Sequence, residues 1–163
     1  QATLTALNAG GDCYADALIT ESIQIPQGRF TSVLVGETDT DNEPELRLFV
    51  QQEDRSAPAA GNARVRFVNL ARPERALRVE FVNSDLTVFG VTNYGGRSAY
   101  QTLPAGQLSF EAIDSASGLA VGAGTGPVTL QDGGIYTLFA HGRESDPDAP
   151  LTLGLIDDLV FAL

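Results

Sequence analysis

Residues 64–68, Arg64-Val65-Arg66-Phe67-Val68, alternate polar and apolar side chains. A period of two places the apolar residues on one face of a β-strand and the polar residues on the other. The alternation recurs at residues 77–81, 86–89, 108–112 and 136–140. Between these segments lie turn-forming stretches rich in Asn, Asp, Gly and Pro. No window of a dozen residues carries a helical stripe. The pattern therefore predicts an all-β protein, either a sandwich or a barrel.

An internal repeat organises the chain. Residues 25–36 align with residues 130–142, with one residue inserted in the second copy. Each copy then continues through an acidic loop to a proline and a further strand. Upstream, residues 1–6 match residues 107–112 more weakly. The chain thus contains the second half of one structural unit twice.

The repeat is asymmetric, because residues 60–106, the first half of the unit, have no counterpart before Gln1. We therefore expect a half-repeat over residues 1–59 and a complete domain over residues 60–163. A half-sandwich leaves an apolar face and unpaired strand edges in water, which proteins normally avoid. The complete domain of the same chain, a neighbouring copy or a preceding segment would have to cover it.

Four motifs in this chain resemble those of a known family, in the family's order. They are ARVRFVNLA at 63–71, LRVEFVN at 77–83, YQTLPAG at 100–106 and GIYTLFA at 134–140. On these motifs the chain resembles the bacterial domain-of-unknown-function family 4397, and its first 55 residues resemble that family's second half. The resemblance implies an immunoglobulin-like antiparallel β-sandwich, with a partial second sandwich at the N-terminus. It also implies an exported or cell-surface protein with no assigned chemistry.

The charge balance restricts the partners. All ten basic residues are arginine, against 21 acids, and the net charge is -11. This balance argues against nucleic acid and anionic membranes as partners, and no apolar run is long enough for membrane insertion. Residues 55–97 hold seven arginines against three acids, between anionic stretches at 1–54 and 98–163. Such polarity can steer one copy onto another, although arginines on solvent faces are the commoner outcome.

The location is expected to be secreted or extracellular, at the cell surface. The chain begins at Gln1 and not at Met, which indicates removal of an export signal or propeptide, although a trimmed chain would look the same. Cys13 is the single cysteine, so it cannot form a disulfide within the chain. We expect a buried, inert thiol, with an intermolecular bridge as the alternative.

No residue pattern points to catalysis, and we expect a non-enzymatic protein without a cofactor. His141 is the single histidine, so neither a zinc site nor a catalytic triad can be built around it. The glycine-rich residues 122–126 lack the lysine and the following helix of a phosphate-binding loop. A loop or bulge explains them.

Two acidic loops are the candidate metal sites. Their carboxylates stand on alternate residues, as in oxygen-rich calcium sites: Asp39, Asp41 and Glu43 in the first loop, and Asp146 and Asp148 in the second. Neither loop has the spacing and terminal glutamate of an EF-hand. Plain solvated turns are the favoured interpretation, and calcium is the alternative.

The half-repeat favours a structural subunit that self-assembles with copies of itself by β-strand addition, into a surface filament. The candidate assembly residues lie at both termini: Ala2, Leu4 and Ala6 in the first strand, and Leu159, Val160, Phe161 and Leu163 in an apolar tail. The alternative is a monomeric adhesin or carbohydrate-binding module, with a surface glycan stacked on Tyr14, Tyr94, Tyr100 and Tyr136. The lack of tryptophan weakens that alternative.

Overall fold

The computed structural model describes residues 2–7, 13–23, 31–40, 43–73 and 75–159. They belong to two compact units, Gln1–Arg55 and Ser56–Leu163. The described residues contain strands and turns without a helix, and hence no helix that is long and apolar enough to cross a membrane. The prediction of an all-β protein is confirmed.

The smaller unit, Gln1–Arg55, contains two antiparallel hairpins in its described part. The first joins β1 (Ala2–Leu7) to β2 (Cys13–Glu21), with register shifts on both sides of Thr5. The second joins β3 (Thr31–Thr40) to β4 (Glu43–Gln52), and these two strands pair along their whole length. Each hairpin forms a separate two-stranded sheet.

The larger unit, Ser56–Leu163, contains the remaining described strands. In chain order they are β5 (Asn62–Asn69), β6 (Leu77–Phe81), β7 (Thr87–Thr92), β8 (Gln101–Pro104), β9 (Gly106–Leu108), β10 (Phe110–Asp114), β11 (Ala120–Val121), β12 (Val128–Leu130), β13 (Ile135–His141) and β14 (Thr152–Asp157). One four-stranded sheet has the order β11-β10-β6-β7, and the other has the order β14-β13-β5-β8. A short β12-β9 pair forms a third sheet.

Most neighbouring strands are antiparallel, as predicted, but β5 and β13 run parallel. Their register extends from Arg64 opposite Ile135 to Asn69 opposite Ala140. Since a parallel pair needs a long crossover connection, residues far apart in the sequence meet in the middle of this sheet. β5, in the first half of the unit, is therefore hydrogen-bonded to β13 in the second half.

The two four-stranded sheets pack face to face around one apolar core. The period-two pattern puts alternate residues of β5 into this core, where Ala63, Val65 and Phe67 are fully buried. Phe67 stacks on Phe89 inside this core at 6.2 Å between ring centroids, and the half-buried Phe81 stacks on the buried Phe110 at 5.6 Å. Full burial of a side chain such as Phe67 contributes about 1.5–3 kcal/mol. The predicted β-sandwich is confirmed by this arrangement.

The smaller unit repeats the strand pairing of the larger unit's second half. In the larger unit, residues 106–114 pair with residues 120–130, and β13 pairs with β14. In the smaller unit, β1 pairs with β2 and β3 pairs with β4, in the same order along the chain. The sequence repeat therefore corresponds to a repeat of topology.

Gly142, which directly follows β13, occupies a position that the repeat marks with a glycine. Its φ of 85° lies in the left-handed region, and a Cβ there would overlap the carbonyl oxygen of Pro150. Gly61 has a similar φ of 80°, yet a Cβ there would meet no atom within 4 Å.

We expect Gly142→Ala to destabilise the protein more than Gly61→Ala. In both variants the alanine must adopt a left-handed backbone conformation, which costs about 1–2 kcal/mol. Only in Gly142→Ala does the new Cβ also clash with the backbone. Equilibrium urea unfolding of the two variants measures the difference. Equal losses in the free energy of unfolding would contradict the close packing of the β13–β14 loop.

Candidate assembly surface

The free strand edges of the smaller unit form the candidate assembly surface. In the larger unit, β10 lies between β11 and β6, and β13 lies between β14 and β5. The corresponding strands β1 and β3 pair on one side only, with β2 and β4, among the strands that the structure describes. A strand edge presents a row of backbone N–H and C=O groups to which a further strand can add. The free side of β3 is called the acceptor edge below.

Pro44 distinguishes the two outer edges of the β3–β4 hairpin. It lies in β4, opposite Asp39 of β3. Proline has no N–H to donate, and strands tolerate it where its nitrogen faces away from the paired neighbour. The outer edge of β4 therefore lacks a donor at this position. β3 contains no proline, so the acceptor edge keeps its donors.

The predicted assembly residues at the N-terminus lie in β1. Ala2 is opposite Glu21 and Leu4 is opposite Ile19, and Ala6 belongs to the same strand. Because β1 already pairs with β2, it can take part in assembly only through its other side.

The predicted C-terminal assembly residues lie at and beyond the end of β14. Leu159 is 47% exposed, and its N–H donates to the carboxylate of Asp157 over 2.9 Å. Val160, Phe161 and Leu163 lie outside the described residues.

The predicted calcium ligands occupy two different kinds of structure. Asp39 and Glu43 stand in the paired strands β3 and β4, and Asp41 between them lies outside the described residues. Asp146 accepts from the backbone N–H of Asp148 at 2.9 Å, which closes a local turn. Within the described ranges, no three His, Cys, Asp or Glu side chains converge as metal ligands. Calcium binding stays a prediction, and the turn explains Asp146.

His141 has a structural environment. It ends β13, exposed, with its ring stacked on Phe139 at 5.1 Å between centroids. Partial desolvation lowers the pKa of His141 below its ordinary value of 6.5. The glycine-rich segment is also accounted for by pairing, since the N–H of Thr125 donates to the carbonyl of Phe110 over 3.0 Å.

Three of the four tyrosines are engaged within the larger unit. Tyr136 is buried, and its hydroxyl accepts from the N–H of Gln131 over 2.9 Å. The ring of Tyr94 lies 5.7 Å from the guanidinium carbon of Arg72. Tyr100 belongs to a polar network on the outer face of β5. These contacts explain Tyr94, Tyr100 and Tyr136 by packing and give the sugar-stacking interpretation no support, and the side chain of Tyr14 lies outside the described part of the structure.

Arg66 is buried on the face of β5 opposite Phe67, with a relative exposure of 1%. Its Nε donates to Thr137 Oγ1 at 2.9 Å, and that hydroxyl in turn lies 2.9 Å from both carboxylate oxygens of Asp158. The Tyr100 hydroxyl also donates to Asp158, over 3.1 Å, and the Arg66 guanidinium carbon is 5.2 Å from the Tyr100 ring centroid. A buried charge is tolerated when it is hydrogen-bonded in this way.

The sequence did not indicate this network. Arginines were expected on solvent faces, and for Arg66 and Arg72, which is 4% exposed, that expectation is wrong. Arg64 and Arg66 each lie between two apolar residues, so the alternating pattern does not separate the half-buried Arg64 from the buried Arg66. Only the parallel pairing of β5 with β13 brings Thr137 beside Arg66.

We expect Thr137→Val to destabilise the protein by about 1–3 kcal/mol, because it removes the hydroxyl between two buried charged groups. Thr129→Val, at an exposed strand position, is the matched control and should change the free energy of unfolding little. Urea unfolding of both variants provides the measurement. An unchanged Thr137→Val midpoint would show that the network contributes nothing to stability.

A second polar cluster links three segments of the larger unit: the residues before β6, the end of β10 and the loop after β13. Arg75, before β6, pairs with Asp114 at 3.1 Å and with Glu144 in the β13–β14 loop. The backbone N–H of Ala116, 2.7 Å from Asp114 Oδ1, is the main cause of the lowered pKa of Asp114. Ser117 and Arg75 lower it further, and desolvation opposes them.

Because the pKa of Asp114 is lower in the folded protein, the ionised carboxylate stabilises the fold at pH values above the ordinary pKa of 3.8. This stabilisation is lost as the pH falls through the folded-state pKa. We expect Asp114→Asn to lower the Tm at pH 7, and the deficit to shrink below about pH 3.8. The exposed Asp85, in the β6–β7 turn, provides the control Asp85→Asn. Thermal melts across pH measure both. A deficit that persists unchanged in acid would contradict the assigned role of the charge.

Comparisons with known proteins leave the family open. No family model matches the chain, and no curated protein matches it. The resemblance to the domain-of-unknown-function family 4397 therefore stays a prediction. Among determined structures, the chain is similar to the C-terminal domain of AlgF from P. aeruginosa, at 16% identity and a TM-score of 0.44. That similarity covers 60% of this chain and 98% of the AlgF domain.

Proposed function

We propose that the chain is a non-catalytic extracellular structural subunit whose copies self-assemble into a surface filament by β-strand addition. The observation behind the proposal is the difference between two corresponding strands. β13 has a neighbour on each side, whereas β3 pairs with β4 alone among the described strands. A partner that adds at the acceptor edge would give β3 the environment that β13 already has.

The larger unit provides a template for the added strand. β5 lies parallel to β13 and contributes Val65 and Phe67 to the core. It also places Arg66 on the opposite face, beside Thr137. A strand that completes the smaller unit in the same way would run parallel to β3 and alternate apolar and polar residues.

The position of Pro44 in the hairpin supports addition at β3. Pro44 removes a backbone donor from β4, and edge strands commonly use proline to prevent pairing. β3 carries no such residue. The non-catalytic part of the proposal is supported by the composition, since one His and one Cys provide few groups for catalysis. The family resemblance supports the extracellular location, and the half-repeat supports the filament.

We expect purified protein to form species of increasing mass as its concentration rises, because each added copy makes backbone hydrogen bonds along a free edge. Sedimentation velocity measures the mass distribution, and negative-stain microscopy measures the shape of the assemblies. A single monomer mass at every concentration would contradict the proposal.

A synthetic peptide with the β5 sequence, residues 62–69, tests whether the assembly uses strand addition. It should cap free edges and lower the mean mass. A control peptide with serine in place of Val65 and Phe67 keeps both arginines and should act weakly, because it cannot bury apolar side chains. If the protein assembles and the two peptides have equal effects, strand addition by a β5-like segment is wrong.

A further inference from the structure

The larger unit also has outer strands, and most of them are protected from pairing. β8 is four residues long and ends with Pro104, and β11 has two residues. The outer side of β14 is partly occupied by Ala123, whose N–H donates to Leu151 over 2.9 Å and whose carbonyl accepts from Leu153 over 3.0 Å. Short length, proline and coverage by a loop are the usual ways to prevent edge-to-edge association.

β7 lacks these three protections, and its pairing with β6 contains two register shifts. It is six residues long, contains neither proline nor a charged residue, and pairs with β6 alone among the described strands. Leu86, just before it, is 67% exposed, and Val91 within it is 66% exposed. An uncharged edge strand with exposed apolar side chains is a site at which another chain adds.

We propose that the free edge of β7 in one copy pairs with the acceptor edge of β3 in the next copy. This inference rests on the proposed function and names the strand that the partner provides, which adds by its backbone edge because Phe89 of β7 stays buried in its own core. The donor and the acceptor then lie on the same chain but in different units. Such a contact is heterologous, so it leaves one free β3 and one free β7 on every oligomer and can propagate.

Charge favours this pairing over the pairing of two acceptor edges. The β3–β4 hairpin carries Glu37, Asp39, Glu43 and Glu45 against Arg47 alone. Two such hairpins side by side would bring like charges together across the contact, which is destabilising. β7 brings no charge of its own to β3. Its six residues span at most about 20 Å, at roughly 3.3 Å per residue, and two register shifts against β6 interrupt that length.

The double substitution Leu86→Lys, Val91→Lys tests the inference, because lysines on an edge strand oppose strand addition. Leu119→Lys is the matched control, since Leu119 is 68% exposed and lies between β10 and β11, away from the β7 edge. We expect the double variant to lose the high-mass species in sedimentation velocity. The control should keep them, and both should keep the wild-type Tm, because all three positions are exposed.

Disulfide trapping identifies the two strands in contact. In a Cys13→Ser background, Val91→Cys protein is mixed under oxidising conditions with Val33→Cys or Leu34→Cys protein, which places the cysteine at either of two successive positions of β3. We expect cross-linked dimers in these mixtures, and none when Leu119→Cys replaces Val91→Cys. Dimers formed by Val91→Cys protein alone would instead indicate a closed β7–β7 pair and overturn the inference.

The two proposals fail in different ways. A wild-type chain that stays monomeric overturns the proposed function and this inference together. A wild-type chain that assembles, with a double lysine variant that assembles equally well, overturns only the assignment of β7.

Discussion

The pairing of strand edges is the constraint on which the rest of this structure depends. Each strand carries backbone N–H and C=O groups on both sides, and these groups need partners or protection. In the larger unit the central strands β10 and β13 are paired on both sides. The outer strands there are mostly short, proline-containing or covered by a loop. In the smaller unit the corresponding strands β1 and β3 each have a single neighbour among the described strands.

Stability in the larger unit comes from the packing of two sheets around apolar side chains, because a single cysteine provides no disulfide within the chain. Arg66 is the exception to a simple pattern of apolar inside and polar outside. It is buried on the face of β5 away from the core, and it is satisfied through Thr137 and Asp158. β5 therefore contributes both to the apolar core and to a polar network. A strand that replaced β5 would have to provide both sets of contacts.

The proposals on assembly follow from the same constraint. A chain with one acceptor edge and one unprotected edge in different units can associate head to tail without new chemistry. Charge determines which edges are compatible, since the acidic β3–β4 hairpin disfavours a copy of itself and tolerates the uncharged β7. Assembly of this kind does not use the candidate metal and sugar-binding residues, and a turn or packing accounts for Asp146, Tyr94, Tyr100 and Tyr136.

The sequence by itself determined the strands, the sandwich and the repeat, because the period of two and the turn residues are local properties of the chain. It also indicated the half-repeat from which the candidate surface follows. It could not show that β5 runs parallel to β13, that Arg66 is buried while Arg64 is half-buried, or that β7 is the unprotected edge. Those features depend on which strands become neighbours, and the tertiary structure decides this by pairing segments about 70 residues apart. Local patterns specify the face of a strand, whereas long-range pairing specifies what lies at its edge.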